Sequence, residues 1–426
     1  MTTLKSRLSK ILPLGKKFEI IHLQSNPRET HPIITQNPST HLDLKTIKVE
    51  HFITLAQDEV IFFGLEIFKY ITINYEGDTT EVLLFVSKAD TNGYNESKVR
   101  MGAITQEILD YLLKIPIEYY LKEIIPKQNK LLNDGNSITK FTSTKDSLQI
   151  LINRQREKKT VPNKIKAYKI LNYPQNIVYK ISLFTRAEGQ YLFPNSSENS
   201  KKHILSGEGL SQWWLGLLDN ILLINFDPSK TTAKVKIPSE ENRVLKRYIE
   251  PLKFSKWSIG DIFNNGTNDQ DIAVFKIPLF PDDPKARFLE HLVVENRIKR
   301  VSLKQFWQEL QIRQEFRLGA TVSIVGIEGY LKPYLKDDIS IVEEIIKTPY
   351  RNFKQLKSYI VGEDYTDIEG AIEAYKNIKT YLKENLKKDL DSTIGEFVLT
   401  KSKKIEVNTL TVNNLSTLVR KKQKNK

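Results

Sequence analysis

Two long runs, Thr46 to Leu55 and Val60 to Tyr75, are rich in β-branched and aromatic residues, and little more than Ala56-Gln57-Asp58 separates them. Gly77-Asp78 then turns the chain into a third such run, Glu81 to Val86. Residues of this kind favour strands, and connections this short join only antiparallel neighbours. An antiparallel meander is therefore built into this part of the chain. Leu65, Ile67, Ile71 and Ile73 recur at period two and give it an apolar face.

A helix follows, with Ile104, Ile108, Leu112 and Ile115 on one stripe, and Pro116 ends or kinks it. Ahead of the meander, Leu4, Leu8, Ile11 and Leu12 mark a short amphipathic helix closed by Pro13. We read it as a cap packed on the body, although the absence of acids before Glu19 faintly resembles a transit peptide. Farther on, strand, irregular loop and helix alternate. Strands are expected at Val178 to Phe184, Asp271 to Ile277 and Ala320 to Val325. Helices are expected at Gly209 to Ile224, Pro284 to Ile298 and Leu303 to Ile312, the last opened by a Ser302/Gln305 capping box. A long helix from Asp367 to Leu390 is expected to be capped by Thr366 with Glu369. No solenoid period appears. The fold class is α/β.

Charge is unevenly spread. The 426 residues hold 65 Lys+Arg against 51 Asp+Glu, a net of +14. Residues 127–169 account for +8 and residues 401–426 for +7, so the other 357 residues sum to −1. A DNA binder carries its basic patch on a folded face; here the excess is appended to a neutral body. Residues 127–169 are polar and weakly periodic and read as a mobile basic insertion that docks a partner. Residues 401–426 read as a disordered basic tail: a nuclear localisation signal, a hook for an acidic partner, or a solvated terminus. One domain is thus expected in two parts, 1–126 and 170–400.

With no cysteine, the chain has no disulfide, thiolate metal site or cysteine nucleophile. Its six histidines (His22, His31, His41, His51, His203, His291) lack ligand spacing, so no metal site is expected. The most apolar stretch, Leu215 to Phe226, is interrupted by Asp219 and Asn220 and falls short of the ~18 residues of a membrane span.

Three segments look chemical. Ser87-Lys88-Ala89-Asp90-Thr91-Asn92-Gly93-Tyr94 places a carboxylate after a buried strand; Asn92-Gly93 suits a tight turn, and Asp90 could equally bond its own backbone. Phe184 to His203 alternates donors with aromatics ahead of a helix bearing Trp213 and Trp214, a mixture suited to a ligand with phosphates at one end and an apolar part at the other. Residues adjacent on a helix point about 100° apart, so one tryptophan can be core while the other faces a cleft. In Phe280 to Phe288, Asp283 followed by Pro284 reads as an N-cap and first helical residue. Lys285 then falls in the first turn, where the helix dipole disfavours a cation by ~0.3–1 kcal/mol; neutralising it would remove that cost, a hint of modification.

Leu84 to Tyr94, Leu183 to Leu205, Ile277 to Phe288 and the pair Glu363-Asp364-Tyr365 and Glu369 to Ala374 together closely resemble the fungal histone acetyltransferases named as regulators of Ty transposition. The likeness runs from about Leu12 to Leu390 and fails in the insertion and tail. It implies a fold similar to the CREB-binding-protein acetyltransferases: a single large mixed-sheet domain wrapped by helices, holding acetyl-CoA in a cleft and needing no metal. It implies acetylation of newly made histone H3 in company with H4, at a core lysine near where DNA enters the nucleosome and at the N-terminal tail. It also implies a nuclear role in replication-coupled nucleosome assembly and the DNA damage response, with one chaperone of the nucleosome-assembly-protein type and one of the anti-silencing type as partners. Neither a membrane nor a specific nucleic acid is expected as a partner. By position, Asp90, Trp214 and Asp283 resemble the catalytic residues. Ala89, Phe184, Arg186, Tyr191, Lys201, Lys202, His203 and Arg287 resemble the cofactor shell, and Lys285 the lysine such enzymes acetylate on themselves.

Attack on a thioester needs a neutral amine, and a free lysine has a pKa of about 10.4. An ordinary aspartate, near 3.9, is a poor base for it. Asp90 is therefore expected to orient rather than deprotonate, with direct transfer in a ternary complex. The competing readings are a non-catalytic histone or chaperone adaptor that keeps the fold, and a nucleic-acid binder, which the neutral body disfavours.

Overall fold

The computed structural model describes residues 3–40, 42–127, 166–238, 240–313, 321–333 and 344–398. Most of the basic insertion and the whole tail 401–426 lie outside the described residues, as does Ala320, where a strand was expected to begin.

One mixed sheet organises the chain. Its strands are β1 (Lys17–Ser25), β2 (Arg28–Thr30), β3 (Leu44–Gln57), β4 (Val60–Asn74), β5 (Thr79–Thr91), β6 (Ile177–Arg186), β7 (Thr232–Lys236), β8 (Trp257–Ile259), β9 (Val322–Gly329), β10 (Ile345–Thr348) and β11 (Asp391–Ile394). The order is β10-β1-β3-β4-β5-β6-β9-β7-β8, with β2 on β3 and β11 on β1. The meander expected from the sequence is β3-β4-β5, antiparallel throughout.

Helices cover both faces. On one, Ile53, Leu65, Ile67, Ile71, Val82 and Leu84 pack with the helices Met101–Lys114 and Gly207–Asn225 through Ile104, Ile108, Leu112, Leu218 and Leu222. The N-terminal helix Leu4–Ser9 buries Leu4 and Leu8 in the same core and so acts as the expected cap. On the other face, Ile21, Phe52 and Ile61 meet the helices Tyr350–Val361 and Ile368–Tyr381. Phe68 and Phe85 stack, and Phe280 lies on Phe85 with ring centroids 4.0 Å apart, which fixes the third chemical segment to β5. Burial on both sides explains why β4 reads as an almost unbroken apolar run. Among the described residues, no helix is long and apolar enough to cross a membrane.

Several local expectations need correction. Asp271 to Ile277 is not a strand: it contains a 3-10 turn, Ala273–Phe275, and touches extended chain only through an isolated bridge between Ile272 and Ser302. Its apolar residues fill a satellite core with Phe288, Phe306 and Ile324 and find no sheet edge to join. Of the capping box only half forms. Ser302 Oγ accepts from the Gln305 amide at 3.3 Å, while the Gln305 side chain turns to Glu309. The helix expected from Asp367 to Leu390 runs from Ile368 to Tyr381 and continues as a π-helical turn, Leu382–Leu386; Asp367 rather than Thr366 caps it, accepting from the Glu369 amide at 2.9 Å, and Thr366 bonds Asp364 instead.

Candidate active site

The site exists because two central strands part. β5 and β6 pair in parallel from Thr80 opposite Ile177 to Val86 opposite Leu183, where their ladder stops. Beyond it, β5 stays with β4 as far as the Phe63–Thr91 pair, and β6 stays with β9 as far as Arg186–Val322. The split falls at the C-terminal ends of both strands, where open α/β sheets leave a crevice. A bulge helps β5 bend away: Val86 pairs with Ile67 and Lys88 with Glu66, so Ser87 is the extra residue. Ser87 to Thr91 lies beyond the expected end of the third run at Val86 and nevertheless continues the strand, because β4 still offers partners.

Two adjoining cavities fill the crevice. The first, about 450 Å³, is lined by Val86, Leu183, Phe184, Lys88, Arg186, Asp282 and Arg287 among others. The second, about 400 Å³, is lined by Met101, Leu205, Trp213, Asp90, Lys201 and His203 among others. Ala89, Glu188, Tyr191, Leu210 and Trp214 line both. All three chemical segments thus converge, but the residues expected as one cofactor shell are divided. Phe184, Arg186 and Arg287 go to the first cavity; Lys201, Lys202 and His203 go to the second; Ala89 and Tyr191 stand between.

Asp90 is the knot that ties the first two segments together. Its Oδ2 accepts from the backbone amides of Tyr191 (2.7 Å) and Leu192 (3.0 Å), and its Oδ1 accepts from the Thr91 amide (2.8 Å) and from Lys202 Nζ (2.8 Å). Lys202 Nζ also donates to the buried Ser196 Oγ at 2.8 Å. Lys202 therefore commits its ammonium within the protein, whereas Lys201 and His203 are exposed at the cavity rim. Gly93 seals the junction. It has φ +83°, and a Cβ there would lie 2.7 Å from the Lys202 amide nitrogen; only glycine accepts both conditions.

Trp214 is 5% exposed, part of the main core, and still forms a wall of both cavities; Trp213 meets it edge to face at 4.8 Å and lines the second. Both tryptophans thus reach the crevice. The Tyr191 hydroxyl donates to the Arg186 carbonyl at 2.6 Å, and burial, reinforced by the Glu188 charge, pushes its pKa up. Tyr191 remains a neutral donor at physiological pH.

Asp283 is the N-cap of the helix Pro284–Val294, its Oδ1 accepting from the Lys285 amide at 2.9 Å. The side chain is wholly buried, and that burial raises its pKa. Lys285 is 1% exposed, with Nζ 3.4 Å from Asp283 Oδ2 and 3.9 Å from Asp261 Oδ2. Neutralising Lys285 would therefore not relieve the molecule as its place in the first turn suggested: the two buried carboxylates more than offset the helix dipole, and without the cation they would face one another.

Sequence reasoning missed Glu188, Ser196, Leu210 and Asp261. Leu210 lies one turn before Trp214 and could have been found from helical spacing. Asp261 lies in irregular chain, and only folding brings it to Lys285. Among the described residues, no three or more His, Asp or Glu side chains gather as a metal-binding group.

The description “Histone acetyltransferase KAT11-type domain” matches residues 4–381. The histone acetyltransferase RTT109 of Candida albicans is 30% identical over 365 residues, 85% of this chain and 97% of that protein. The histone acetyltransferase rtt109 of Schizosaccharomyces pombe is 25% identical over 327 residues, 74% of this chain and 68% of that one. That of Aspergillus flavus is 26% identical over 374 residues; the match spans 75% of this chain and 55% of the longer relative. The crystal structure of Rtt109 from Aspergillus fumigatus shares the fold, with a TM-score of 0.65 at 20% identity over 92% of this chain and 99% of that one.

Proposed function

The chain belongs to the KAT11-type histone acetyltransferases, enzymes that use acetyl-CoA as co-substrate, and on that premise we propose how its two cavities divide the reaction. The second cavity takes acetyl-CoA, which supplies the acetyl group as a thioester. Met101, Leu205 and Trp213 suit an apolar arm, and Lys201 and His203 at the rim suit phosphates. The first cavity, with Glu188 and Asp282 in its walls, admits the target lysine. The observation that carries this reading is the shared wall, since Ala89, Tyr191 and Trp214 border both spaces where the two substrates must meet.

In this reading the buried Trp214 keeps water off one side of the junction and so favours the neutral amine over the ammonium there. Asp90 positions: with its lone pairs given to three amides and Lys202, it holds the wall that carries Tyr191. Asp283 holds the start of the helix that presents Arg287. Phe184, Arg186 and Arg287 then line the substrate cavity and do not hold the cofactor. Direct transfer in a ternary complex is the proposed course, and the chain has no cysteine that could carry the acetyl group as a thioester. Lys285 is the proposed site of self-acetylation.

The proposed substrate is histone H3 with H4, at a core lysine near where DNA enters the nucleosome and at the N-terminal tail. A chaperone of the nucleosome-assembly type and one of the anti-silencing type would present it, in the nucleus, during replication-coupled assembly. Family membership supports this, and so does the concentration of basic charge in 127–169 and 401–426, which suits acidic chaperones. Calorimetric titration of acetyl-CoA tests the cavity assignment: His203→Ala and Trp213→Ala should weaken binding several-fold and Phe184→Ala should not, and the opposite ranking rejects it. Mass spectrometry of H3 acetylated with each chaperone in turn tests the substrate, and labelling elsewhere than H3 rejects that part.

A further inference from the structure

Four carboxylates border or underlie the crevice, and three are spoken for. Asp90 accepts from three amides and Lys202. Asp282 pairs with Lys88 at 2.9 Å and lies in the field of Lys357 and Arg287, which with that pairing holds its pKa below the usual carboxylate range. Asp283 is buried as an N-cap beside Lys285. The fourth is Glu188. One oxygen, Oε1, meets Arg186 Nε at 2.9 Å; the side chain is 41% exposed, and its other oxygen has no partner among the described residues. Of the five residues that line both cavities, Glu188 alone carries a charge.

From this placement, and resting on the cavity assignment above, we infer that Glu188 is the group that receives the ε-ammonium of the incoming histone lysine and sets it at the junction of the cavities. The walls of the first cavity carry Lys88, Arg186 and Arg287 against Asp282 and Glu188, so the lining as a whole is unfavourable to a cation. A carboxylate with an open oxygen on the wall shared with the second cavity offsets that charge and draws the ammonium there. The ammonium gives up its proton to solvent at the half-exposed Glu188, and the neutral amine then moves to the buried face of Trp214; the role of Glu188 is recognition rather than proton abstraction. The same charge selects a lysine over a neutral side chain of similar length, because the neutral one leaves Glu188 without its partner.

The test is steady-state kinetics of the full-length enzyme, varying histone and acetyl-CoA separately. Glu188→Gln should raise the histone KM roughly three- to fivefold, the scale of a half-exposed ion pair, with the acetyl-CoA KM unchanged. Glu188→Asp should recover part of the loss. Arg186→Gln breaks the same ion pair from the other side and should lower the histone KM, since it removes a competitor. A histone KM unchanged in Glu188→Gln, or an equal rise in Glu188→Gln and Arg186→Gln, overturns the role and leaves Glu188 only a partner of Arg186. Acetyl-CoA affinity separates the two levels. If it ignores His203→Ala and Trp213→Ala, the cavity assignment fails and this role with it. If it depends on them while Glu188→Gln is silent, only Glu188 is wrongly assigned.

Discussion

Lys202 Nζ lies 2.8 Å from Asp90 Oδ1, joining side chains 112 positions apart in sequence that are 4% and 7% exposed. Breaking one side of such a pair leaves a buried charge uncompensated, at a cost of about 3–5 kcal/mol. Asp90→Asn should therefore lower stability and reduce kcat more than it weakens acetyl-CoA, because it loosens the wall carrying Tyr191. Urea unfolding and steady-state kinetics read both. In a cycle with Lys202→Met, the double variant should lose less than the sum of the singles; strict additivity would mean the pair is not coupled.

Gly93→Ala should cost more than Gly15→Ala. Both glycines have positive φ, +83° and +73°, but a Cβ at 93 meets the Lys202 backbone at 2.7–2.8 Å while one at 15 meets nothing within 4 Å. Backbone strain of this kind is worth about 1–3 kcal/mol, and the steric clash adds to it at 93 alone. Thermal melts of the two variants check the difference; equal shifts in Tm would show that the approach to Lys202 is not tight.

Lys285→Gln removes the cation between Asp261 and Asp283. A loss of about 3–5 kcal/mol is expected, and Asp261→Asn in the same chain should restore much of it by removing one of the opposed carboxylates. Denaturant unfolding of the single and double variants measures the rescue. No recovery would place the role of Lys285 outside this cluster.

Stability should fall on the acid side of neutrality. His22 Nε2 and His51 Nδ1 are 2.9 Å apart in the core, and burial depresses both; His22 goes from 6.5 to about 3. A folded pKa below the unfolded one means the unfolded chain binds the extra proton. Stability is thus full above about pH 6.5 and declines as pH falls towards 3, at up to ~1.4 kcal/mol per pH unit for each histidine. His22→Leu should flatten this slope by about one proton in urea titrations between pH 4 and 5.5, and an unchanged slope would show that His22 is not the group responsible.

The meander was legible because β3, β4 and β5 are continuous, locally connected and rich in β-branched residues. β1 was not, because His22, Gln24 and Ser25 are buried polar residues that break its apolar signal. Asp271 to Ile277 misled in the opposite way, having strand composition without an available edge. At the site, each of the three chemical segments was visible as a local oddity. Their meeting was not, since it depends on where the β5–β6 ladder ends, and no residue in either strand announces that. Glu188 stayed unremarked for the same reason: among Arg186, Tyr191 and the serines it is one polar residue of many until the cavities select it.

The bulge at Ser87 makes β5 a strand in two phases. Val82, Leu84 and Val86 point to the main core at even positions, and past the bulge the same side is taken by Ala89, opposite Leu65. At the same chain length but without the bulge, simple alternation would present Lys88 to that core in place of Ala89. A chain shortened by one residue there would keep Ala89 inward but straighten β5 and remove the bend that helps part it from β6, so the spare residue serves the opening of the crevice.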